Sequence, residues 1–252
     1  WQSEYQEISG PVAARKYFEN NRAVMIEGAQ VLWPELFDYY KLMCMREDDG
    51  YASFDAEMQN EPVNPSECFF NPEEMVFWDD SYATEEKLLH ARGHMLNIYG
   101  GCDPSMGKNP LRGDPSAIIT IARDHETGIM YVLDADIERC PPDRIIDKII
   151  TYHSYRNFMA FAVETNQFQE FMAQTLQKRA AQRNLYLNCM PINNTTHKQA
   201  RIQGIQPMIK SGAVQFSRRH KQLLDQMRYF PKAAHDDGVD ALEMAMRAAQ
   251  SG

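Results

Sequence analysis

The order of short apolar runs after residue 95 constrains the fold more than any other feature of the sequence. Leu96 to Cys102 predicts one strand, and the runs 117–123 and 129–134 predict two more, joined by a short hairpin loop that ends in glycine. Beyond residue 140, helix-spaced and strand-like segments alternate, with a buried strand predicted at 158–163. Three strands in hairpin order followed by alternating helices and strands predict an α/β fold with a mixed sheet flanked by helices.

The remaining elements follow from helical spacing, capping residues and proline positions. Helices are predicted from Pro142, over about 167–183, from near Thr196, over about 219–228 and over about 237–249, with strands at 185–189 and 214–216. The first part of the chain predicts helices at 12–20, from near Pro34, and at 84–92 behind the capping residue Thr84. We therefore divide the chain into a helical and loop-rich extension at 1–94 and a domain at 95–252.

Charge is distributed unevenly along the 252 residues, whose net charge is −9. Residues 177–232 hold 11 basic residues and a single acid, Asp225, whereas residues 1–95 hold 19 acids and 7 bases. A basic stretch of this length is typical of a surface that contacts phosphates, although a solvated charged face explains short basic runs.

Cysteine usage and hydropathy narrow the class of protein. The five cysteines form no CxxC pair, which argues against a zinc ribbon and a disulfide framework and predicts a reduced, intracellular protein. No apolar run approaches the roughly 18 residues of a spanning helix, so no membrane partner is predicted.

Acidic residues fall at the ends of the predicted elements. Asp103 follows the first strand, Glu164 follows the strand at 158–163, and three acids open the last helix, Asp236, Asp237 and Asp240. Open α/β sheets place their chemistry at such strand ends. Clustered carboxylates repel one another unless a divalent cation binds, and two Mg²⁺ ions together support phosphodiester hydrolysis. Taken singly, Asp103 also fits an Asx-type turn, Glu164 a helix cap, and Asp236 or Asp237 an N-cap.

Two competing motifs are present only in part. Gly101 to Lys108 resembles a phosphate-binding loop, but five residues separate its glycines instead of four, and Asn109 stands where Ser or Thr would bind Mg²⁺. His90 and His94 lie one helical turn apart without a third zinc ligand or an HExxH motif. We therefore expect neither an ATP site nor a zinc site.

Five segments together resemble one known family. They are GGCDPSMG (100–107), GDPSAIITIARDHETGIMYVLDADIERCPPD (113–143), FAVETNQFQEFM (161–172), HKQARIQGIQPMIKSGAVQF (197–216) and LLDQMRYFPKAAHDDGVDALEMA (223–245). In order and spacing they are similar to the C-terminal nuclease domain of the large terminase subunit of tailed double-stranded DNA bacteriophages, which has the ribonuclease H-like fold. FDAEMQNEPVNP (54–65) resembles the segment that precedes this nuclease. The resemblance implies a metal-dependent endonuclease that cuts concatemeric phage DNA when packaging starts and ends.

The resemblance also implies roles for individual residues. Asp103, Glu164 and Asp237 would be the catalytic metal ligands for Mg²⁺ or Mn²⁺, with two ions expected. Asp114 and Asp240 would be auxiliary acids, and Asp236 rivals Asp237 for the third position. The expected DNA-binding residues are Lys198, Arg201, Lys210, Arg218, Arg219 and Lys221, although structural salt bridges explain Lys198 and Arg201 equally well.

The expected partners are double-stranded DNA and, in a full-length protein, the terminase ATPase domain, the small terminase subunit and the portal. Residues 1–94 would then be the linker from the ATPase region, and the protein would work in the host bacterial cytoplasm, transiently at the procapsid portal. Two alternatives stay open. One is another ribonuclease H-like DNA enzyme, such as a junction resolvase or transposase, and the other is a non-catalytic DNA-binding or portal-docking module.

Overall fold

A computed structural model describes residues 10–49, 54, 58, 68–104, 115–164, 167–192, 196–233 and 235–251. The chain forms two compact units, Trp1–Val63 and Asn64–Gly252. The second unit includes the elements between residues 72 and 95 as well as the predicted domain. The functional division between 1–94 and 95–252 stays a prediction.

The first unit contains two described helices, α1 (Gly10–Met25) and α2 (Tyr39–Asp49). The helix predicted at 12–20 is confirmed and is longer than expected. The helix predicted from near Pro34 instead begins at Tyr39, because the Asp38 carboxylate accepts a hydrogen bond from the Lys41 N–H at 2.7 Å and caps the first turn there.

The second unit is built on one mixed sheet. Its described strands are β1 (Val76–Phe77), β2 (Leu96–Asp103), β3 (Ser116–Asp124), β4 (Met130–Glu138), β5 (Ala160–Glu164), β6 (Cys189–Ile192) and β7 (Val214–Phe216), in the order β1-β7-β4-β3-β2-β5-β6. Strands β2, β3 and β4 form the predicted antiparallel meander. Strands β5 and β6 continue it parallel to β2, and β7 and β1 continue it parallel to β4.

The described helices of this unit are α3 (Asp79–Tyr82), α4 (Glu85–Arg92), α5 (Pro142–Arg156), α6 (Gln167–Gln182), α7 (Lys198–Lys210), α8 (Lys221–Tyr229) and α9 (Asp237–Ser251). Short 3₁₀ turns lie at Pro72–Glu74 and Gly93–Met95. The strand predicted at 185–189 is wrong in its bounds, because β6 pairs with β5 only from Cys189 onward. The two-residue strand β1 is too short for its alternation to be recognised in the sequence.

Side-chain alternation assigns the helices to the two faces of the sheet. Tyr99 of β2 and Ala162 of β5 pack in one core cluster with α9, whereas Cys102 and Phe161 pack in another with α5 and α6. We call these the α9 face and the α5 face. No helix within the described residues is long and apolar enough to span a membrane.

Candidate metal centre

Asp103 and Glu164 lie at the same edge of the sheet. They end β2 and β5, which are parallel neighbours with Cys102 opposite Val163, so the two acids that follow stand side by side. Side chains two residues apart point to the same face. Since Ala162 packs with α9, Glu164 also points to the α9 face, as Asp103 does with Gly101.

Helix α9 crosses β2 in close contact at Gly101. A Cβ atom on Gly101 would lie 2.5 Å from both the carbonyl oxygen of Ala241 and the amide nitrogen of Ala245. Only glycine permits this approach of helix backbone to strand backbone. The contact brings the acids in the first turn of α9 toward Asp103, two residues farther along β2.

The beginning of α9 is fixed by α8. The Gly238 N–H donates to the Gln226 side-chain oxygen at 2.8 Å, which satisfies one of the free amides of the first turn. The Asp236 carbonyl accepts from the Val239 and Asp240 amides at 3.0 Å, so Asp236 is the N-cap residue of this helix.

Asp240 is held by cations of α7. Its side chain is 8% exposed, its Oδ2 forms an ion pair with the Lys198 ammonium, and its Oδ1 accepts from Arg201 at 3.1 Å. Lys198 also contacts Asp236 at 2.7 Å, and Arg201 also contacts Glu243 at 2.6 Å. Asp240 therefore has a protein cation on each of its carboxylate oxygens.

Asp103 lies in a strongly anionic environment. Burial, followed by the charges of Asp240, Asp237 and Glu164, raises the pKa of Asp103 from 3.8 to about 7, and only Lys198 among the main contributors opposes the shift. The acids predicted to act together are therefore electrostatic neighbours. An anionic group of carboxylate oxygens is the donor chemistry that hard divalent cations prefer.

The ligand set is not complete as it stands. Among the described residues, no three His, Cys, Asp or Glu side chains form a group that could hold a metal ion without rearrangement. Asp114, the predicted auxiliary acid, lies outside the described residues. The oxygen donors of these acids are of the type that divalent cations prefer.

Comparison with known families identifies the chain. The profile of the terminase RNaseH-like domain matches residues 100–249, which is more than half of the sequence. The chain belongs to the terminase RNaseH-like domain family. Together with the strand order, this confirms the predicted ribonuclease H-like fold.

Several solved structures are similar to this terminase domain. The human cytomegalovirus terminase nuclease domain, Mn soaked and inhibitor bound, is 12% identical and covers 72% of this chain and 95% of its own, with a TM-score of 0.49. The zinc-bound large terminase nuclease of thermophilic phage G20c is 17% identical, covers 60% and 81%, and has a TM-score of 0.47. The Mn-bound g2p nuclease domain of bacteriophage SPP1 is 13% identical, covers 65% and 90%, and has a TM-score of 0.43. No curated protein sequence matches significantly.

The six basic residues predicted to bind DNA fall into three settings in the terminase domain. Lys198 and Arg201 lie beside the acids of α9, as described above. Three others form ion pairs elsewhere, Lys210 with Glu74 at 3.2 Å, Arg218 with Asp80 at 2.8 Å and Arg219 with Glu85 at 2.8 Å. Lys221 is exposed at the first residue of α8.

Sequence reasoning missed several residues near Asp237. The His235 Nδ1 lies 4.0 Å from Asp237 Oδ2, and the Arg139 guanidinium lies 3.1 Å from the other ring nitrogen of His235. Glu243 was also missed, although it follows Asp240 by three residues on α9, just as Arg201 follows Lys198 by three on α7. These matched spacings are the signal for a ladder of ion pairs between two packed helices.

Proposed function

We propose that this domain is the divalent-metal-dependent DNA endonuclease of a phage DNA-packaging terminase. The observation that carries the proposal is the position of Asp103, at the end of β2 and in the field of Glu164, Asp237 and Asp240. Membership of the terminase RNaseH-like family supports the same conclusion. The substrate would be concatemeric double-stranded DNA, cut when packaging starts and ends.

The acids have two different roles, binding of the metal ions and support of the helix that carries part of the site. Asp103, Glu164 and Asp237 would hold Mg²⁺ or Mn²⁺. Two such ions would supply an activated water and stabilise the leaving oxygen of a phosphodiester. Asp240 is already paired on both oxygens with Lys198 and Arg201, so its part is to fix the first turn of α9 relative to α7. Asp236 has the same supporting part through Lys198.

Contacts to the DNA backbone would come from the basic segment at 177–232. Arg201 and Lys198 lie nearest to the acids, and Lys221 is an exposed residue at the start of α8. In a full-length terminase the ATPase domain, the small subunit and the portal would deliver the DNA, with residues 1–94 as the linker. This work would take place in the host cytoplasm, at the procapsid portal.

The test is cleavage of supercoiled plasmid by the purified chain in EDTA, Mg²⁺ or Mn²⁺. We expect metal-dependent nicking and linearisation that Asp103→Asn lowers by more than about 100-fold, since even residues that only support metal ligands cost 10- to 100-fold. The matched control is Asp136→Asn on the α5 face, where the carboxylate pairs with Lys148 at 2.7 Å. This variant should cut at the wild-type rate.

Two results would contradict the proposal. Plasmid cleavage by Asp103→Asn at the wild-type rate would remove Asp103 from the site. A wild-type chain that binds DNA but neither cuts it nor gains thermal stability from either metal would favour the non-catalytic DNA-binding module, because a ligand of the native state must raise its melting temperature.

A further inference from the structure

Lys198 holds a position in the site that is distinct from those of the other basic residues. It is the first residue of α7, and its ammonium bridges the N-cap acid of α9, Asp236, and the first-turn acid Asp240. Its side chain is 39% exposed, whereas Asp240 is 8% exposed. A partly solvated cation thus lies on a buried carboxylate.

The ammonium also lies within the electrostatic reach of the first predicted metal ligand. Lys198 opposes the increase in the pKa of Asp103 that Asp240, Asp237 and Glu164 cause. A positive charge that stabilises ionised Asp103 acts in the same sense as a bound metal ion. We propose that Lys198 is a tethered counter-cation of the metal-free site, whose positive charge opposes the binding of divalent cations beside Asp103. This inference rests on the proposed metal-dependent function.

Coulomb's law gives the direction of this influence on metal binding. A divalent ion beside Asp103 repels a nearby ammonium with twice the energy of a univalent one, and the low polarity of a half-buried site strengthens the effect. Lys198 also neutralises carboxylate charge that would otherwise attract the metal. Both effects weaken metal binding, so removing the ammonium should increase the affinity.

Arg201 makes the inference testable, since it keeps the two helices together when Lys198 is replaced. Its side chain is 12% exposed, and its guanidinium contacts Asp240 and Glu243. Glu243 is also paired with Arg247 at 2.7 Å. Helix α9 therefore retains its connection to α7 through Arg201. We expect Lys198→Gln to fold, with a lower melting temperature in the absence of metal.

The Lys198 ammonium would keep the affinity of the site for metal ions low in the absence of DNA. Phosphate oxygens are additional ligands for Mg²⁺, which seldom binds to protein carboxylates alone. Substrate would then supply the binding energy that displaces Lys198. The chain would in this way restrict cutting to moments when DNA is in place.

The experiment is a titration of the metal-free 252-residue chain with Mn²⁺. Binding is measured by calorimetry and by the loss of the electron paramagnetic resonance signal of free Mn²⁺. We expect Lys198→Gln to bind Mn²⁺ about tenfold more tightly than wild type, which corresponds to about 1.4 kcal/mol of removed repulsion. Lys198→Arg, which keeps the charge, should retain the wild-type Kd. The matched control is Lys148→Gln, because Lys148 also bridges two acids, Asp136 at 2.7 Å and Glu138 at 2.9 Å, but on the α5 face.

The outcomes separate this inference from the proposed function. An equal or weaker Mn²⁺ affinity in a folded Lys198→Gln protein overturns the inference alone, and so does an equal gain in Lys148→Gln. The absence of Mn²⁺ binding in wild type and in Lys198→Gln overturns the proposed function and the inference with it. Tighter binding confined to Lys198→Gln supports both.

Discussion

The two faces of the sheet both carry acidic clusters, and they differ in how their charges are balanced. On the α5 face, Asp134 pairs with Arg156 at 2.8 Å, and Asp136 pairs with Lys148 at 2.7 Å. Glu138 pairs with Lys148 and also with Arg144 at 3.2 Å, so three cations face three acids. On the α9 face, three carboxylates raise the pKa of Asp103 while one lysine opposes them. The first cluster is neutralised within the protein, and the second has an excess of negative charge.

The pKa values reflect the same difference. Burial alone would raise the pKa of Glu85, but hydrogen bonds from Arg156 of α5 and from Arg219 lower it below its usual value. On the α9 face, burial and neighbouring carboxylates raise the pKa of Asp103 to about 7. Acids that stabilise the fold thus carry their own counter-charges. Asp103, which we propose as a metal ligand, instead has carboxylates as its main charged neighbours, and this arrangement makes the native state less stable.

The largest effect on stability is expected from two matched arginines. Arg201 and Arg156 are 12% and 11% exposed, and each bridges two carboxylates, Asp240 and Glu243 or Asp134 and Glu85. Removing one partner of such a buried ion pair leaves uncompensated charge, so Arg201→Gln and Arg156→Gln should each lower the free energy of unfolding by about 3 kcal/mol. Urea denaturation measures both values.

Cleavage should separate the two variants although their stabilities fall together. At a temperature where both are folded, Arg201→Gln should lose about 10- to 100-fold of plasmid cleavage, as expected for a residue that supports a site, and Arg156→Gln should lose none. Equal losses of cleavage would mean that the α9 face has no special part in the reaction.

Neighbouring glycines on β2 give the next largest effect. A Cβ on Gly101 would collide with the backbone of α9, whereas a Cβ on Gly100 would meet the rings of Phe161 and Phe158 on the α5 face. Overpacking of either kind costs about 1–3 kcal/mol, and we expect Gly101→Ala to reach the upper end because backbone atoms cannot rotate away. In thermal melting, both variants should be less stable than wild type. In plasmid cleavage, only Gly101→Ala should also lose activity, because only this change separates Asp103 from the acids of α9. Retention of full cleavage by Gly101→Ala would contradict the role assigned to this contact.

Local signals made the acids and most of the fold predictable from the sequence. Apolar runs defined the meander and β5, so Asp103 and Glu164 could be placed at strand ends before any contact was known. The crossing at Gly101 could not be predicted, since it depends on Ala241 and Ala245, far along the chain.

The charge distribution was the least reliable guide. The acid-rich first part and the basic segment at 177–232 look like two opposed surfaces in the sequence. In the fold they partly neutralise one another, since Lys210, Arg218 and Arg219 pair with acids more than 100 residues earlier in the chain, Glu74, Asp80 and Glu85. A count of charges in a window does not detect such tertiary pairs, so DNA binding by these three basic residues stays a prediction.

The smallest of the expected effects on stability comes from Asp103 and has the opposite sign. Because the pKa of Asp103 is about 7 in the folded protein and 3.8 without the fold, the folded state holds a proton between these values that the unfolded chain has lost. Stability should therefore fall as the pH rises from about 4 to about 7. Each pKa unit corresponds to about 1.4 kcal/mol, for an upper bound of about 4 kcal/mol, which partial solvent screening lowers to about 2 kcal/mol.

Asp103→Asn should remove this cost, so that the metal-free variant is about 2 kcal/mol more stable than wild type at pH 8 and equal to it near pH 4. Calorimetric melting in EDTA across this pH range measures the difference. Asp136→Asn should behave in the opposite way at pH 8, because it leaves Lys148 with one acid instead of two on the α5 face. Destabilisation of the protein by Asp103→Asn at pH 8, as expected for Asp136→Asn, would mean that the α9 face is as well neutralised as the α5 face. The electrostatic basis for a metal centre at Asp103 would then be lost.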